Sequence, residues 1–557
     1  MKKAFLVPGT IIITIILLLP LIGCAPAATE PPAAEPPAAE APAAEAPAEA
    51  PAAAPVTLNV GSTYIWDSAN PAIGWYSYTI RYLLYDTLVE WAELDRFTPG
   101  LAESWSVSDD GLVWTFKIRE GVTFHDGTPC TAEEIAWSIN WSIEFEIETL
   151  YSYLINFAEV EALDPTTLQI TMTNPVGNME YLLIYLWILP PSVWDGMTLE
   201  EITEFEDVAA GTGTGPYKLV EWSEGEYMIL EAHADYWKGK PNIDRIVYHE
   251  YGTEDAMVQA LMAGEIDMIE TTPSTAIQTL QAAGNIEVAI MDSLSLDELI
   301  INSFPDGTQP ASLWDPVIRT AMEYAIDRQQ IINVAYLGYG DPLISPVPPA
   351  MGDWYNSDLV PITFDLAEAN RLLDEAGYVD TNGNGIREYS DGSELSYRFY
   401  GSESAETARI MEIISDGLKA AGIDAPVTLM DEDSLIALYP AYDFDLVYWG
   451  WGMDPDPDFS MLIFTCEQTE EYGWNDSGFC EESFDQLYLE QGVTVDRDER
   501  KEIIWEMQEI LYDKKPYIVL VNYSIIQAYN KEKFTGFSLE CGDLLWKNCF
   551  LSGTAVQ

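Results

Sequence analysis

Apolar and polar residues alternate along several short stretches of this chain and recur at helical spacing along others. Residues 113–118 alternate as a half-buried strand does, after a tight turn at Asp109-Asp110-Gly111. A second turn, His125-Asp126-Gly127, leads to Thr131, which stands three residues before Glu134. That spacing is a capping box and predicts a helix with Ala136, Ile139 and Ile143 on its apolar stripe. Strands are predicted at 56–60, 168–172, 265–269 and 445–448, and a buried segment at 181–189. Further helices are bounded by local signals. Thr253 opens one that Gly264 closes; Asp315 and Pro316 open another through Ile318, Ala321, Met322, Ala325 and Ile326. Asp365 with Glu368 opens a third, closed by Gly377. Asp496 with Glu499 opens a fourth, expected to pack through Ile503, Ile504, Met507, Ile510 and Leu511. Strands alternating with helices predict an α/β architecture.

The first 55 residues follow different rules. Lys2 and Lys3 precede an apolar run interrupted by Pro8, Gly9 and Pro20, which describes a secretory signal rather than a spanning helix of about 20 apolar residues. Residues 25–55 are almost entirely alanine, proline and glutamate. They cannot form a core, and predict a semi-rigid spacer with a reach on the order of 90 Å.

Size and charge narrow the picture. A chain of 557 residues exceeds one hydrophobic core. The net charge of −67 excludes a nucleic-acid partner and keeps the protein off anionic headgroups. Of six cysteines, Cys466 and Cys480 bracket one short loop and Cys541 and Cys549 another. An exported chain permits these two disulfides, with Cys130 left as a free thiol; no CxxC pair favours the rival metal-site reading. There are three histidines, His125, His233 and His249, with neither an HExxH nor a GxSxG motif, so an enzyme is not expected. A surface hydrolase built on a carboxylate pair stays open as an alternative, because 92 acids make such pairs easy to find.

The stretch Leu101-Ala102-Glu103-Ser104-Trp105, Trp114-Thr115-Phe116, Arg119, Gly121-Val122, Phe124-His125-Asp126-Gly127 and Thr131-Ala132 resembles the family 5 solute-binding proteins, the extracytoplasmic receptors of peptide-type ABC importers. So do the turn at 213–219, the unit at 260–267 and the segment 302–328. The resemblance covers nearly everything after about residue 56. It implies a two-lobed periplasmic-binding-protein (Venus-flytrap) fold with an extra domain inserted in the first lobe. On that scheme residues 1–23 are a lipoprotein signal peptide and 24–55 a lipidated cysteine with its tether. Lobe I takes 56–82, 211–308 and 524–557, the inserted domain 83–210, and lobe II 309–523. The chain would cross between lobes near Phe304-Pro305 and near Asn522-Tyr523. Leu21-Ile22-Gly23-Cys24 resembles a bacterial lipobox, which implies lipidation of Cys24 and attachment to the cell membrane.

The resemblance also implies a ligand and its anchor. The expected partners are a small solute, peptide or oligosaccharide, and the membrane subunits of an ABC permease; the receptor is expected to be a monomer. The best site candidate is the segment 448–459, a strand end rich in glycine, tryptophan and aspartate. In peptide-binding members an aspartate after a Gly-Trp pair holds the peptide α-ammonium. Asp454 matches it, with Asp456 in reserve and Trp449, Trp451 and Met453 beside it. Tyr64 and Trp66 are further candidate lining residues. The chain's 18 tryptophans also suit sugar stacking, so an oligosaccharide receptor is the alternative, and few histidines argue against nickel. Finally, residues 380–391 resemble an EF-hand-type calcium loop, with Asp380, Asn382 and Asn384, the Ile386 carbonyl and Asp391 as ligands. An aspartate at the twelfth position leaves a plain Asx-Gly turn as the other reading. No cofactor is required.

Overall fold

The computed structural model describes residues 54–556 apart from 65–67, 69, 74–77, 306 and 471–472. The expected signal peptide, Cys24 and nearly all of the tether lie outside the described residues, as does Trp66. Among the described residues no helix is long and apolar enough to cross a membrane.

Two large sheets organise the chain. The first has seven strands in the order Ile286–Met291, Ile525–Asn530, Met268–Ile269, Thr57–Ser62, Arg245–Glu250, Tyr227–Ala232 and Tyr217–Ser223. Thr57–Ser62 lies at its centre, parallel to both neighbours. The second has six strands, Gly340–Pro342, Tyr517–Tyr523, Ser295–Ile301, Leu446–Gly452, Phe399–Ser402 and Val427–Met430. Its apolar face packs on the helices Pro316–Ala325, Leu366–Ala376 and Ala405–Ala420 through Ile318, Met322, Leu373, Ile410 and Ile414. The predicted caps hold. Thr131 and Glu134 form their reciprocal box, Gly264 and Gly377 end their helices in the left-handed conformation, and Asp315 accepts from the Val317 N–H.

One strand falls elsewhere than expected. Ser295–Ile301, expected in lobe I, is a central strand of the second sheet, antiparallel to both Leu446–Gly452 and Tyr517–Tyr523. The chain therefore crosses at residues 292–294, not near Phe304-Pro305. It returns at Ser524, between Tyr517–Tyr523 and Ile525–Asn530. The two crossings lie side by side. Asn522 Nδ2 donates to the carbonyls of Ser293 at 3.1 Å and Ser295 at 2.7 Å, and the Ser293 hydroxyl donates to the Tyr523 carbonyl. Strands Ile286–Met291 and Ser295–Ile301 follow one another in the chain, yet each joins a different sheet through partners distant in sequence.

A four-stranded antiparallel sheet, Ala102–Val107, Val113–Ile118, Thr167–Met172 and Phe157–Asp164, is covered by the helix Ala132–Glu144. It lies inside the expected insertion, but one core runs from its Phe116 and Ile170 into Leu58, Val60 and Ile246 of the seven-stranded sheet. The turn at 213–215 shows why glycine stands there. A Cβ on Gly213 would come within 2.3 Å of the Leu84 carbonyl oxygen, and one on Gly215 within 2.5 Å of the Leu84 carbonyl carbon. His125 holds this turn, accepting from the Gly213 N–H at 3.1 Å, with its other ring nitrogen 3.0 Å from the Gly215 carbonyl.

Both disulfides form as expected, Cys466–Cys480 and Cys541–Cys549, with Cα atoms 4.5 and 6.0 Å apart, and Cys130 is a buried free thiol. Each short ring stabilises by roughly 2–3 kcal/mol on the chain-entropy scale.

Candidate functional site

The strand Leu446–Gly452 carries the expected site segment, and its environment separates the candidates. Trp449 is half-buried and lines a cavity of about 390 Å³ with Asp297, Tyr336, Tyr448 and Gly450. Trp451 instead donates its indole N–H to Asp476 at 3.2 Å, and its ring meets Phe459 and Trp474 edge-on. Met453 is buried in the core of the second lobe. Asp456 is 3% exposed, caps the helix Pro457–Leu462 and forms a two-pronged pair with Arg500 at 2.5 and 2.7 Å. Its carboxylate is fully engaged inside the fold.

Asp454 lies just past the strand end. Its two oxygens accept from the hydroxyls of Tyr181 at 2.6 Å and Tyr185 at 2.7 Å. Burial holds its pKa above the usual carboxylate value, against the lowering effect of those two bonds. Each oxygen keeps a further lone pair. Asp454 lines neither of the cavities described here, and neither does Tyr64, which is 43% exposed with its backbone N–H on the Ser62 hydroxyl.

A larger cavity of about 650 Å³ opens where the chain crosses between lobes. One wall comes from the first lobe: Glu254, Glu270 with residues 271–275, Gln527 and Asp543. The other comes from the second: Tyr336, Tyr339, Glu406, Arg409 and Tyr523. It adjoins the Trp449 cavity through the shared Tyr336, Glu406 and Tyr523. Tyr336 and Tyr523 stack with ring centroids 5.8 Å apart.

The carboxylates of this cleft are held in unusual states. Burial pushes Asp297 up to about 7, although the hydroxyls of Tyr336 and Tyr448 both donate to it. Burial also pushes Glu270 up to about 7; the Ser62 hydroxyl contacts it and Asp543 faces it. Asp543 rises to about 6 for the same reason, despite bonds from the Leu545 N–H at 2.7 Å and Gln527 Nε2 at 2.8 Å. Glu254 and Glu406 are also raised, by burial first. Sequence reasoning missed these residues. One signal was visible: two acids, Asp297 and Glu298, interrupt an otherwise apolar strand. They point to opposite faces, and both oxygens of Glu298 are buried without a hydrogen-bond partner.

The expected calcium loop is exposed. Asp380 accepts backbone N–H bonds from Gly383 at 2.6 Å and Gly385 at 2.8 Å. Asp391 bonds Ser393 in its own turn, while Glu394 receives the amides of Asn382 and Asn384 at 3.1 and 2.7 Å. Glu394 thus approaches the loop from beyond its twelve positions, and Glu388 within it accepts from the Thr381 N–H at 2.7 Å. No cluster of three or more histidine, cysteine, aspartate or glutamate side chains suited to a metal occurs among the described residues.

Comparison with known proteins places this architecture. Residues 96–472 match the family described as bacterial extracellular solute-binding proteins, family 5 middle. Glutathione-binding protein GsiB of Shigella flexneri serotype 5b is 26% identical over 510 residues, covering 88% of this chain and 95% of that protein. GsiB of Escherichia coli K12 matches to the same extent. Two solved structures share the fold. The oligopeptide-binding protein AppA of Bacillus subtilis, in complex with a nonapeptide, has a TM-score of 0.70 at 24% identity, covering 90% of this chain and 100% of its own. NikZ of Campylobacter jejuni, in complex with Ni(L-His), has a TM-score of 0.73 at 23% identity, covering 89% and 99%. With two α/β lobes joined at a double crossing and this match over most of its length, the chain belongs to the family 5 bacterial extracellular solute-binding proteins.

Proposed function

We propose that this protein captures peptides, di- or oligopeptides, outside the cytoplasmic membrane and delivers them to the permease of an ABC importer. The observation that carries this reading is the cleft at the double crossing, walled by both lobes and lined by carboxylates and tyrosines. A ligand that touches both walls binds the closed arrangement better than the open one and shifts the population toward it. The relatives agree in kind: GsiB is named for glutathione, and AppA holds a nonapeptide. Two observations weigh against the other ligands. Trp449 is the one tryptophan lining either cavity among the described residues, so most of the others are not sugar platforms. His125 and His233 both bond Gly215, and His249 bonds Asn59, so no histidine faces the cleft as a nickel ligand. The protein acts by stoichiometric binding, without turnover, and as a monomer.

In this reading Asp454 is the peptide's ammonium anchor, as the family motif implies. Burying an ammonium is costly unless a carboxylate meets it. Asp454→Asn keeps the shape and the tyrosine contacts but removes the charge. It should weaken peptide binding by about 2–4 kcal/mol, and N-acetylation of the peptide should weaken wild-type binding similarly. Calorimetry measures both. Unchanged affinity in Asp454→Asn moves the anchor to the cleft acids. Tight binding of a neutral oligosaccharide with no peptide binding overturns the peptide reading.

Two further features belong to the proposal. A lipid on Cys24 would hold the receptor at the membrane, and the tether at 25–55 would let it reach the permease; the motif Leu21-Ile22-Gly23-Cys24 supports this. A structural calcium ion is proposed at the 380–391 loop, with Asp380, Asn382, Asn384 and the Ile386 carbonyl as donors and Glu394 replacing Asp391 as the closing acid. Calcium should raise the melting temperature by mass action, and Asp380→Ala should abolish the rise. Melting that ignores both calcium and chelator leaves the loop a turn.

A further inference from the structure

We infer that the cleft selects solutes carrying net positive charge, such as peptides with basic side chains; this rests on the peptide reading above. Six carboxylates line the two adjoining cavities: Glu254, Glu270, Asp297, Glu406, Glu432 and Asp543. Arg409 is the one cation lining them. A protein this acidic has carboxylates everywhere, so their number alone decides nothing. Their lack of basic partners does.

Several buried acids elsewhere in the chain are met by bases. Lys547 meets Asp86 and Glu90, Arg328 and Lys515 meet Glu323, and Arg500 meets Asp456. None of the six cleft carboxylates forms an ion pair among the described residues. Glu270, Asp297 and Asp543 are withdrawn from water without an ion-pair partner, which is costly unless something else brings a counter-charge. The lobes add a second reason. Glu254 opens the helix Glu254–Ala263 on one wall, and Glu406 lies in the first turn of Ala405–Ala420 on the other. Each lobe thus brings a carboxylate to the same cavity; burial first and then Glu254 raise the pKa of Glu406, against the lowering effect of Arg409. Their repulsion opposes closure until a cation lies between them. A zwitterionic peptide brings one charge of each sign and leaves the excess unchanged; a basic side chain reduces it.

An independent feature marks the cavity as a ligand site. Thr272 lines it, is 5% exposed, and its hydroxyl oxygen has no hydrogen-bond partner. A buried hydroxyl without a partner is costly in the empty protein and suits a donor such as an ammonium N–H.

Titration calorimetry on the whole purified protein tests this with Lys-Ala-Lys, Ala-Ala-Ala, Glu-Ala-Glu, spermidine and maltotriose. Lys-Ala-Lys should bind at least tenfold tighter than Ala-Ala-Ala at pH 8, and Glu-Ala-Glu weakest. The preference should shrink with added salt and at pH 5, where Glu270, Asp297 and Asp543 hold protons among Glu254, Glu406, Arg409, Tyr336, Tyr448 and Tyr523. The double change Glu254→Gln with Glu406→Gln should abolish most of it; Glu406 is exposed, and a melting curve checks the fold. Ala-Ala-Ala binding as tightly as Lys-Ala-Lys overturns the charge selection and leaves the peptide reading standing. Spermidine binding without any peptide does the reverse. Binding of maltotriose alone, or of no probe, overturns both.

Discussion

Lys547→Met should destabilise the folded protein by about 3–5 kcal/mol, the scale for breaking a buried ion pair from one side. Lys547 is 1% exposed, and its ammonium lies 2.8 Å from Asp86 and 2.9 Å from Glu90, which are themselves 0% and 1% exposed. Asp86 keeps the Trp237 indole at 2.9 Å and the Tyr236 hydroxyl at 3.1 Å, and Glu90 keeps Lys238. The methionine variant leaves Glu90 with Lys238 and Asp86 with the Trp237 and Tyr236 donors. The cluster also ties the end of the chain to its beginning. Lys547 lies within the ring closed by Cys541–Cys549, and its neighbour Trp546 packs on Tyr82 and Trp91. Urea titration measures the loss. Adding Asp86→Asn and Glu90→Gln to Lys547→Met should recover part of it, because neutral amides are cheaper to bury than unpaired anions. A single-variant loss below about 1 kcal/mol would show that the carboxylates rehydrate or protonate at little cost.

Arg500→Met should cost a similar amount, about 3–5 kcal/mol, and should also disturb binding. Arg500 is 2% exposed, holds both oxygens of Asp456 and donates through Nε to Gln491 at 2.9 Å. Asp456 in turn caps the helix Pro457–Leu462, two residues after Asp454. Removing the guanidinium strands a buried carboxylate in the loop that presents the proposed ammonium anchor. Arg500→Lys should rescue little, since one ammonium cannot satisfy two oxygens and Gln491 together. A double-mutant cycle with Asp456→Asn separates the pair from its surroundings. A coupling near zero would mean that Asp456 is held by its cap and helix alone, and that the loop is independent of Arg500.

What the sequence determined by itself was whatever lies within a few residues of its cause. Thr131 and Glu134 are three apart, so their capping box was legible and is present. Gly264 and Gly377 follow their helices directly. Cys466 and Cys480 are separated by 14 positions and Cys541 and Cys549 by 8, short enough for each pair to be chosen by proximity. Helix Arg497–Lys514 shows where that reach ends. Its buried stripe includes Ile504, Met507 and Leu511, as an apolar reading predicts, but also Arg500 and Gln508. Arg500 is buried because Asp456, 44 positions earlier, is there to receive it, and Gln508 because it bonds Asn356 and Ser345.

Only the tertiary structure decided which sheet the strand Ser295–Ile301 joins, because both of its partners are distant and its own apolar pattern suits either lobe. It alone decided which acids matter. Asp454, Asp456 and Asp458 are near neighbours in the chain, yet two tyrosines hold the first, an arginine the second, and Gln491 with Tyr488 the third. The cleft carboxylates come from segments as distant as Glu254 and Asp543. In a chain with 92 acidic residues the residue type carries little information. A carboxylate's role is set by whether the fold removes its water and whether it supplies a base in return, and both depend on contacts between residues hundreds of positions apart.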